Sequence, residues 1–184
     1  MRIVKHIIRT LLVLVTVILG ASCTKELREQ EYDKQEKLIE TFVSSQLKSN
    51  PNAKVVHNGG ITRVTVSEGE GVEVNARGKA GIRYALYDFT QGRIAAANMV
   101  ATNSKDVASS SKWVLDEHEY ELLTVSLSDK DIMQGLRDGL EGVREGEECY
   151  ILFCGKYAFG KKKVGTIPAN APLAFHVWVE EVEN

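Results

Sequence analysis

The chain has 184 residues, 43% of them hydrophobic and 26% charged, which leaves room for one ordinary domain of about 100–130 residues with a single core, plus extensions. A formal net charge of −2 supplies no positive field to gather nucleic acid, so no nucleic-acid partner is expected. Three cysteines are too few, and too irregularly spaced, for the disulfide framework of a small secreted protein.

The chain opens with Arg2, Lys5, His6 and Arg9, followed by an apolar run over residues 11–19, the layout of a secretory signal and too short to span a bilayer. Next stands Leu19-Gly20-Ala21-Ser22-Cys23, which resembles a bacterial lipobox, with Gly20 where such boxes usually carry an aliphatic residue. This predicts a signal peptide over residues 1–22 and lipidation of Cys23, placing the protein at the bacterial cell envelope, on its periplasmic face or the cell surface. An ordinary cleavable signal with a chance cysteine is the alternative.

Residues 23–52 read as a helical spacer. Leu27, Leu38, Ile39, Phe42, Val43 and Leu47 fall on one helical side, and Asn50-Pro51-Asn52 stops the helix, because proline disfavours helical geometry in the residue before it. That apolar side either docks on the domain or pairs with a second copy, so monomer and helix-mediated dimer both stay open.

From residue 53 to residue 184 the pattern becomes that of a domain. Residues 54–66 alternate around His57-Asn58-Gly59-Gly60 and predict a β-hairpin. Residues 79–89 predict a strand. Residues 98–112, poor in large apolar side chains, read as a loop or irregular insertion, and residues 113–127 recover strand character. Ser128-Asp129 is expected to cap a short helix marked by Ile132, Met133, Leu136 and Leu140. Strands over residues 149–154 and 173–182 enclose a loop containing Lys161, Lys162 and Lys163, which reads as a solvated turn or an anion clamp. Strands, one short helix, then strands make an α+β domain whose helix covers a curved antiparallel sheet.

Conventional catalytic signatures do not appear. No two of His6, His57, His118 and His176 have ligand spacing, so neither metal nor other cofactor is expected. Cys149 and Cys154 are separated by an odd number of positions on one strand, point to opposite faces and read as inert thiols. The sequence has no nucleophile elbow and no phosphate loop. What remains is apolar: Tyr84, Leu123, Ile132, Met133, Leu136, Tyr157, Ile167 and Phe175 lie on signals facing one side of a helix and sheet. Each taken singly reads as an ordinary core residue.

Gly135-Leu136-Arg137-Asp138-Gly139-Leu140, Val143, Glu145-Gly146-Glu147, Tyr157-Ala158-Phe159-Gly160, Ile167-Pro168-Ala169-Asn170 and Leu173-Ala174-Phe175 together resemble the C-terminal half of FKBP-type peptidyl-prolyl isomerases. The resemblance extends more faintly back to Tyr84 and Gly92. It implies an FKBP-like sheet of five or six antiparallel strands wrapped around one short helix, acting on proline-containing polypeptides.

It also implies roles for particular residues. Ile132 and Met133 line the pocket, Leu136 forms its floor, and Tyr84 and Leu123 stand beside it. The Tyr157 hydroxyl and the Ile167 backbone amide hold carbonyls, and Phe175 is the aromatic wall. Where the family carries Phe-Asp-Ser-Ser, with an Asp that polarises the bound amide, this chain has Ile94-Ala95-Ala96-Ala97-Asn98. Two functions follow: an envelope-anchored prolyl isomerase or folding helper, or an inactive FKBP-like binding module.

Overall fold

The computed structural model describes the backbone of residues 2–184 and the side chains of residues 26–184. The signal peptide expected over residues 1–22, and Cys23, lie outside the described side chains. The chain divides into two compact units, Met1–Lys34 and Gln35–Asn184. Helix α1 (Arg2–Ser49) supplies the first and enters the second, ending where the proline signal places its stop. Among the described residues no helix is long and apolar enough to cross a membrane.

The larger unit is built on seven antiparallel strands: β1 (Lys54–Asn58), β2 (Ile61–Ser67), β3 (Lys79–Asp88), β4 (Met99–Thr102), β5 (Leu123–Ser126), β6 (Glu148–Phe153) and β7 (Leu173–Glu183). Their order is β1-β2-β6-β7-β3-β4, with β5 pairing β3 on the edge that β4 also uses. Seven strands exceed the five or six implied, because β1 adds an outer strand and the far edge of β3 is shared between β4 and β5. The β1–β2 turn is two residues long and uses Gly59 and Gly60 at φ +57° and +91°, left-handed geometry whose twist suits a tight hairpin.

Strand alternation gives the sheet two apolar faces. Cys149, Ile151 and Phe153 of β6, and Leu173, Phe175, Val177 and Val179 of β7, point to the concave face and are buried there around α3 (Gln134–Leu140). Helix α3 reaches the sheet closely because its facing positions are glycines: a Cβ on Gly135 would stand 2.4 Å from Cγ of Phe153, and one on Gly139 2.3 Å from Cγ2 of Ile151. The helix end is held by buried Arg63, whose Nη1 donates to the carbonyls of Gly139 (3.0 Å) and Glu141 (2.6 Å). The Arg63 Nε lies 3.4 Å from Glu147, whose carboxylate accepts the Thr65 hydroxyl at 2.8 Å. On the opposite face, the C-terminal part of α1 docks on the sheet. Ile39 is buried, and the Phe42 ring stands edge-on to Phe89 (5.6 Å) and Tyr150 (5.3 Å).

Three expectations are corrected. Residues 98–112 are no loop: they contain β4 and α2 (Lys105–Ser110), the latter capped by the Ser104 side chain, which accepts from the Val107 N–H. Strand β4 is only four residues long, and α2 is built of small or polar residues around fully buried Ala108, which carries almost no hydropathy signal. Residues 113–127 are strand only at β5. The Asp116 N–H donates to the Glu119 carboxylate at 2.8 Å and the chain winds into a 3₁₀ turn over Glu117–Tyr120. Finally, α3 starts at Gln134 with Met133 as its cap residue. Asp129 spends its side-chain oxygen on the Asp131 N–H at 2.8 Å, a local turn that delays the helix.

Candidate active site

All eight residues singled out from the sequence converge on the concave cluster around α3. Leu136, Ile167 and Phe175 are buried at its base, whereas Tyr84, Leu123, Ile132, Met133 and Tyr157 are half-buried against them. The result is an apolar cradle with a buried floor and a half-buried rim. Phe175 is its hub, with ring centres 5.8 Å from Tyr84 and 6.1 Å from Phe153.

Four further members were not identified from the sequence. Phe153 is fully buried beside Phe175, and the partly buried Val100, Ala101 and Phe159 pack against the same buried cluster. Phe153 and Phe159 carry an aromatic signal within the motif region, and strand alternation alone could have put Phe153 on the concave face. Val100 and Ala101 carried no signal once their segment was read as a loop. They, not residues 94–98, bring this stretch of chain to the cradle. The two polar groups closest in sequence are engaged away from it: the Asp88 side chain accepts from the Thr90 N–H at 2.9 Å, and Asn98 donates to the carbonyls of Asp88 (3.0 Å) and Arg93 (2.6 Å).

The polar groups on the rim have specific placements. The Tyr157 hydroxyl lies over the β1–β2 turn, where a Cβ on Gly60 would come within 2.6 Å of it. The Ile167 N–H donates to the Val164 carbonyl at 2.9 Å, and the Val164 N–H returns the bond at 3.1 Å, so that amide is satisfied within its own loop. The Met133 N–H, at the uncapped start of α3, has no hydrogen-bond partner among the described residues. Burial pushes the Tyr84 hydroxyl above its ordinary pKa.

Tyr84 is set by Asn103, a buried residue just beyond β4. Its side chain accepts the Tyr84 N–H at 2.7 Å and donates to the carbonyls of Ile82 and Glu121, both at 3.0 Å. Burial, with Glu147 beside it, raises the Cys149 thiol and holds it protonated. No group of three His, Cys, Asp or Glu side chains among the described residues is placed to hold a metal.

Surface hollows away from the cradle, among the described residues, include two with charged walls. One, of about 590 Å³, is walled by Glu68, Glu70, Glu145 and glycines; the other, of about 550 Å³, lies among Arg83, Lys105, Asp106, Trp178 and Glu180. Their charged walls give no dry surface for an amide, so the cradle is the stronger candidate.

Residues 92–180 match the family model for FKBP-type peptidyl-prolyl cis-trans isomerases. Among solved structures, the chain is similar to a peptidyl-prolyl cis-trans isomerase from Pseudomonas syringae pv. tomato (TM-score 0.55, 18% identity), covering 85% of this chain and 96% of that one. It is similar to FkpA from Escherichia coli (0.54, 17%; 96% and 71%) and to the N-terminal domain of FKBP42 from Arabidopsis thaliana (0.54, 17%; 72% and 93%). At these identities the likeness is one of fold. No curated protein matches the chain in sequence.

Proposed function

The chain belongs, through residues 92–180, to the FKBP-type peptidyl-prolyl cis-trans isomerase family, and we propose that it accelerates Xaa-Pro isomerisation in exported polypeptides at the cell envelope, anchored by a lipid on Cys23. The FKBP-type fold supports a peptidyl-prolyl isomerase or folding helper. The observation that carries the catalytic reading is the convergence of Tyr84, Leu123, Ile132, Met133, Leu136, Tyr157, Ile167 and Phe175 into one cradle with a buried floor and half-buried rim.

Prolyl isomerisation needs no nucleophile, acid or metal. Its uncatalysed barrier is about 18–20 kcal/mol, set by amide resonance. Twisting the bond breaks that resonance and makes the carbonyl less polar, so a dry apolar surface favours the twisted form over the strongly hydrated planar one. A 10⁴-fold acceleration corresponds to about 5.5 kcal/mol of that preference. In this cradle Phe175 and Leu136 supply the apolar surface, while the Tyr157 and Tyr84 hydroxyls and the unpartnered Met133 N–H are donors for flanking carbonyls. Because the Ile167 amide is engaged with Val164, the carbonyl-holding role implied for it passes to Met133.

The test is an isomerisation assay, by protease coupling or NMR exchange, on Xaa-Leu-Pro peptides. Rates above background are expected, and background rates from folded protein would overturn catalysis. A second reading, a binding module, is favoured by one observation: Val100 and Ala101 bring no carboxylate to the cradle. It predicts peptide-induced resonance shifts of cradle residues without acceleration. The anchor is tested separately by palmitate labelling, which Cys23→Ala should abolish.

A further inference from the structure

The loop between Phe159 and Ile167 belongs to the cradle at both ends, since both residues pack in its cluster. Between them run Gly160, Lys161, Lys162, Lys163, Val164, Gly165 and Thr166, with Gly160 and Gly165 in left-handed geometry at φ +54° and +56°. The loop is held in place. The Gly160 N–H donates to Gly155 O at 2.9 Å, the Asn170 N–H to Gly160 O at 2.6 Å, and the Lys162 N–H to Phe159 O at 3.1 Å. The reciprocal Val164–Ile167 pair closes its other end.

A constrained loop thus carries three consecutive ammonium groups at the edge of an apolar floor. All three side chains are exposed, and none has an ion-pair partner among the described residues. Nearby Lys156 differs: its ammonium pairs with Glu36 at 3.3 Å and lies 5.1 Å from the Tyr157 ring centre. In a chain of net charge −2 this is a local positive excess with no internal counter-charge. Asp129-Lys130-Asp131, the segment that leads into Ile132, carries a net charge of the other sign. A chain laid over the floor beside the 160–166 loop meets a local positive field there.

We propose that Lys161, Lys162 and Lys163 are a specificity element selecting polypeptides with Asp or Glu on one side of the proline. The selected carboxylates lie within about four residues of it, the span that an extended chain at ~3.3–3.6 Å per residue keeps beside the loop. This rests on the cradle being the peptide-binding site. The lysines touch no reacting atom; they act on encounter and residence, so they alter KM and leave kcat unchanged.

The test uses the full chain and Lys161→Ser/Lys162→Ser/Lys163→Ser, with Ala-Leu-Pro-Phe peptides carrying Asp-Glu before the proline, after it, or not at all. One acidic placement should be favoured about 3- to 10-fold in kcat/KM at low salt. The triple variant, or 0.5 M salt, should abolish the preference while leaving the neutral peptide unaffected. Catalysis of all peptides at equal rates overturns this inference and leaves the proposed function standing. If no peptide is catalysed, fluorescence anisotropy separates the two: salt-sensitive preference for one acidic peptide supports the lysine loop, and equal binding or none overturns it. Equal competition by a proline-free acidic peptide and a single-stranded oligonucleotide identifies a general anion patch and also overturns it.

Discussion

The side-chain oxygen of Asn103 accepts the backbone N–H of Tyr84 at 2.7 Å, in the gap where β3 has lost β4 and not yet met β5. Strand pairing on that edge ends at Ala85–Thr102 and resumes at Ile82–Leu123. One amide side chain thus substitutes for a missing strand and fixes the backbone beneath an aromatic wall of the cradle.

Replacing Asn103 with alanine strands the Tyr84 N–H and the carbonyls of Ile82 and Glu121 in a buried place. At about 1–3 kcal/mol for an unsatisfied buried group, partly relieved by entering water, a loss of about 2–4 kcal/mol is expected. Urea unfolding measures that loss. Hydrogen exchange at the Tyr84 amide should accelerate beyond the change in global stability, because the defect is local.

Gly135→Ala opposes two effects of known size. Alanine gains about 1 kcal/mol in helix propensity. The added methyl meets the fully buried Phe153 ring at 2.4 Å, and overpacking of that kind costs about 1–3 kcal/mol. Packing should win, because the ring has no free volume to enter. Thermal unfolding should show a lower Tm for Gly135→Ala, and Gly135→Ala/Phe153→Leu should recover part of it; an unchanged single variant would refute the contact.

These two sites show what the sequence made legible. The glycines of the α3 motif, the hairpin turn and the β7 alternation each followed a local rule, and the resemblance placed eight residues that the fold brings together. Asn103 was illegible, because its role depends on a gap in pairing created by strands distant in sequence. The segment over residues 98–112 failed differently: β4 is only four residues long and α2 is built of small or polar residues, so the hydropathy pattern was too brief to mark either. The hydrogen bond that occupies the Ile167 amide could not be read either, since loop geometry decides it.

His176 gives the domain a pH dependence. Its ring is stacked on Tyr150 (4.3 Å) and tilted against Trp178 (3.9 Å), with Nε2 2.8 Å from Glu148. Burial lowers its pKa, and the Glu148 carboxylate opposes that only in part. The folded state therefore binds this proton less readily than the unfolded chain, whose histidine titrates near 6.5. The associated stability is complete above that value and is lost as pH falls from about 6.5 towards the folded pKa. Urea unfolding between pH 7.5 and 5 should show a decline that His176→Phe flattens, with Trp178 fluorescence reporting the ring's protonation in the native protein.

Phe175 and Phe153 stand 6.1 Å apart, and exchanging them one at a time is expected to separate stability from the proposed function. Both are buried, but Phe175 also meets the half-buried Tyr84, whereas Phe153 faces Gly135 and is fully buried. Exchanging either phenylalanine for leucine removes aromatic contacts from a packed site, at a cost of about 1–1.5 kcal/mol. Their kinetic effects should diverge. On the proposed function, Phe175→Leu takes away apolar surface that favours the twisted amide, and is expected to lower kcat about tenfold, equivalent to about 1.4 kcal/mol of transition-state preference. Phe153→Leu changes a fully buried ring beside that surface, so its kcat should stay within about twofold of the parent, below 0.5 kcal/mol on the same scale. Equal kcat losses in two folded variants would show that the aromatic layer acts as a packing unit and that Phe175 has no separate role towards the substrate.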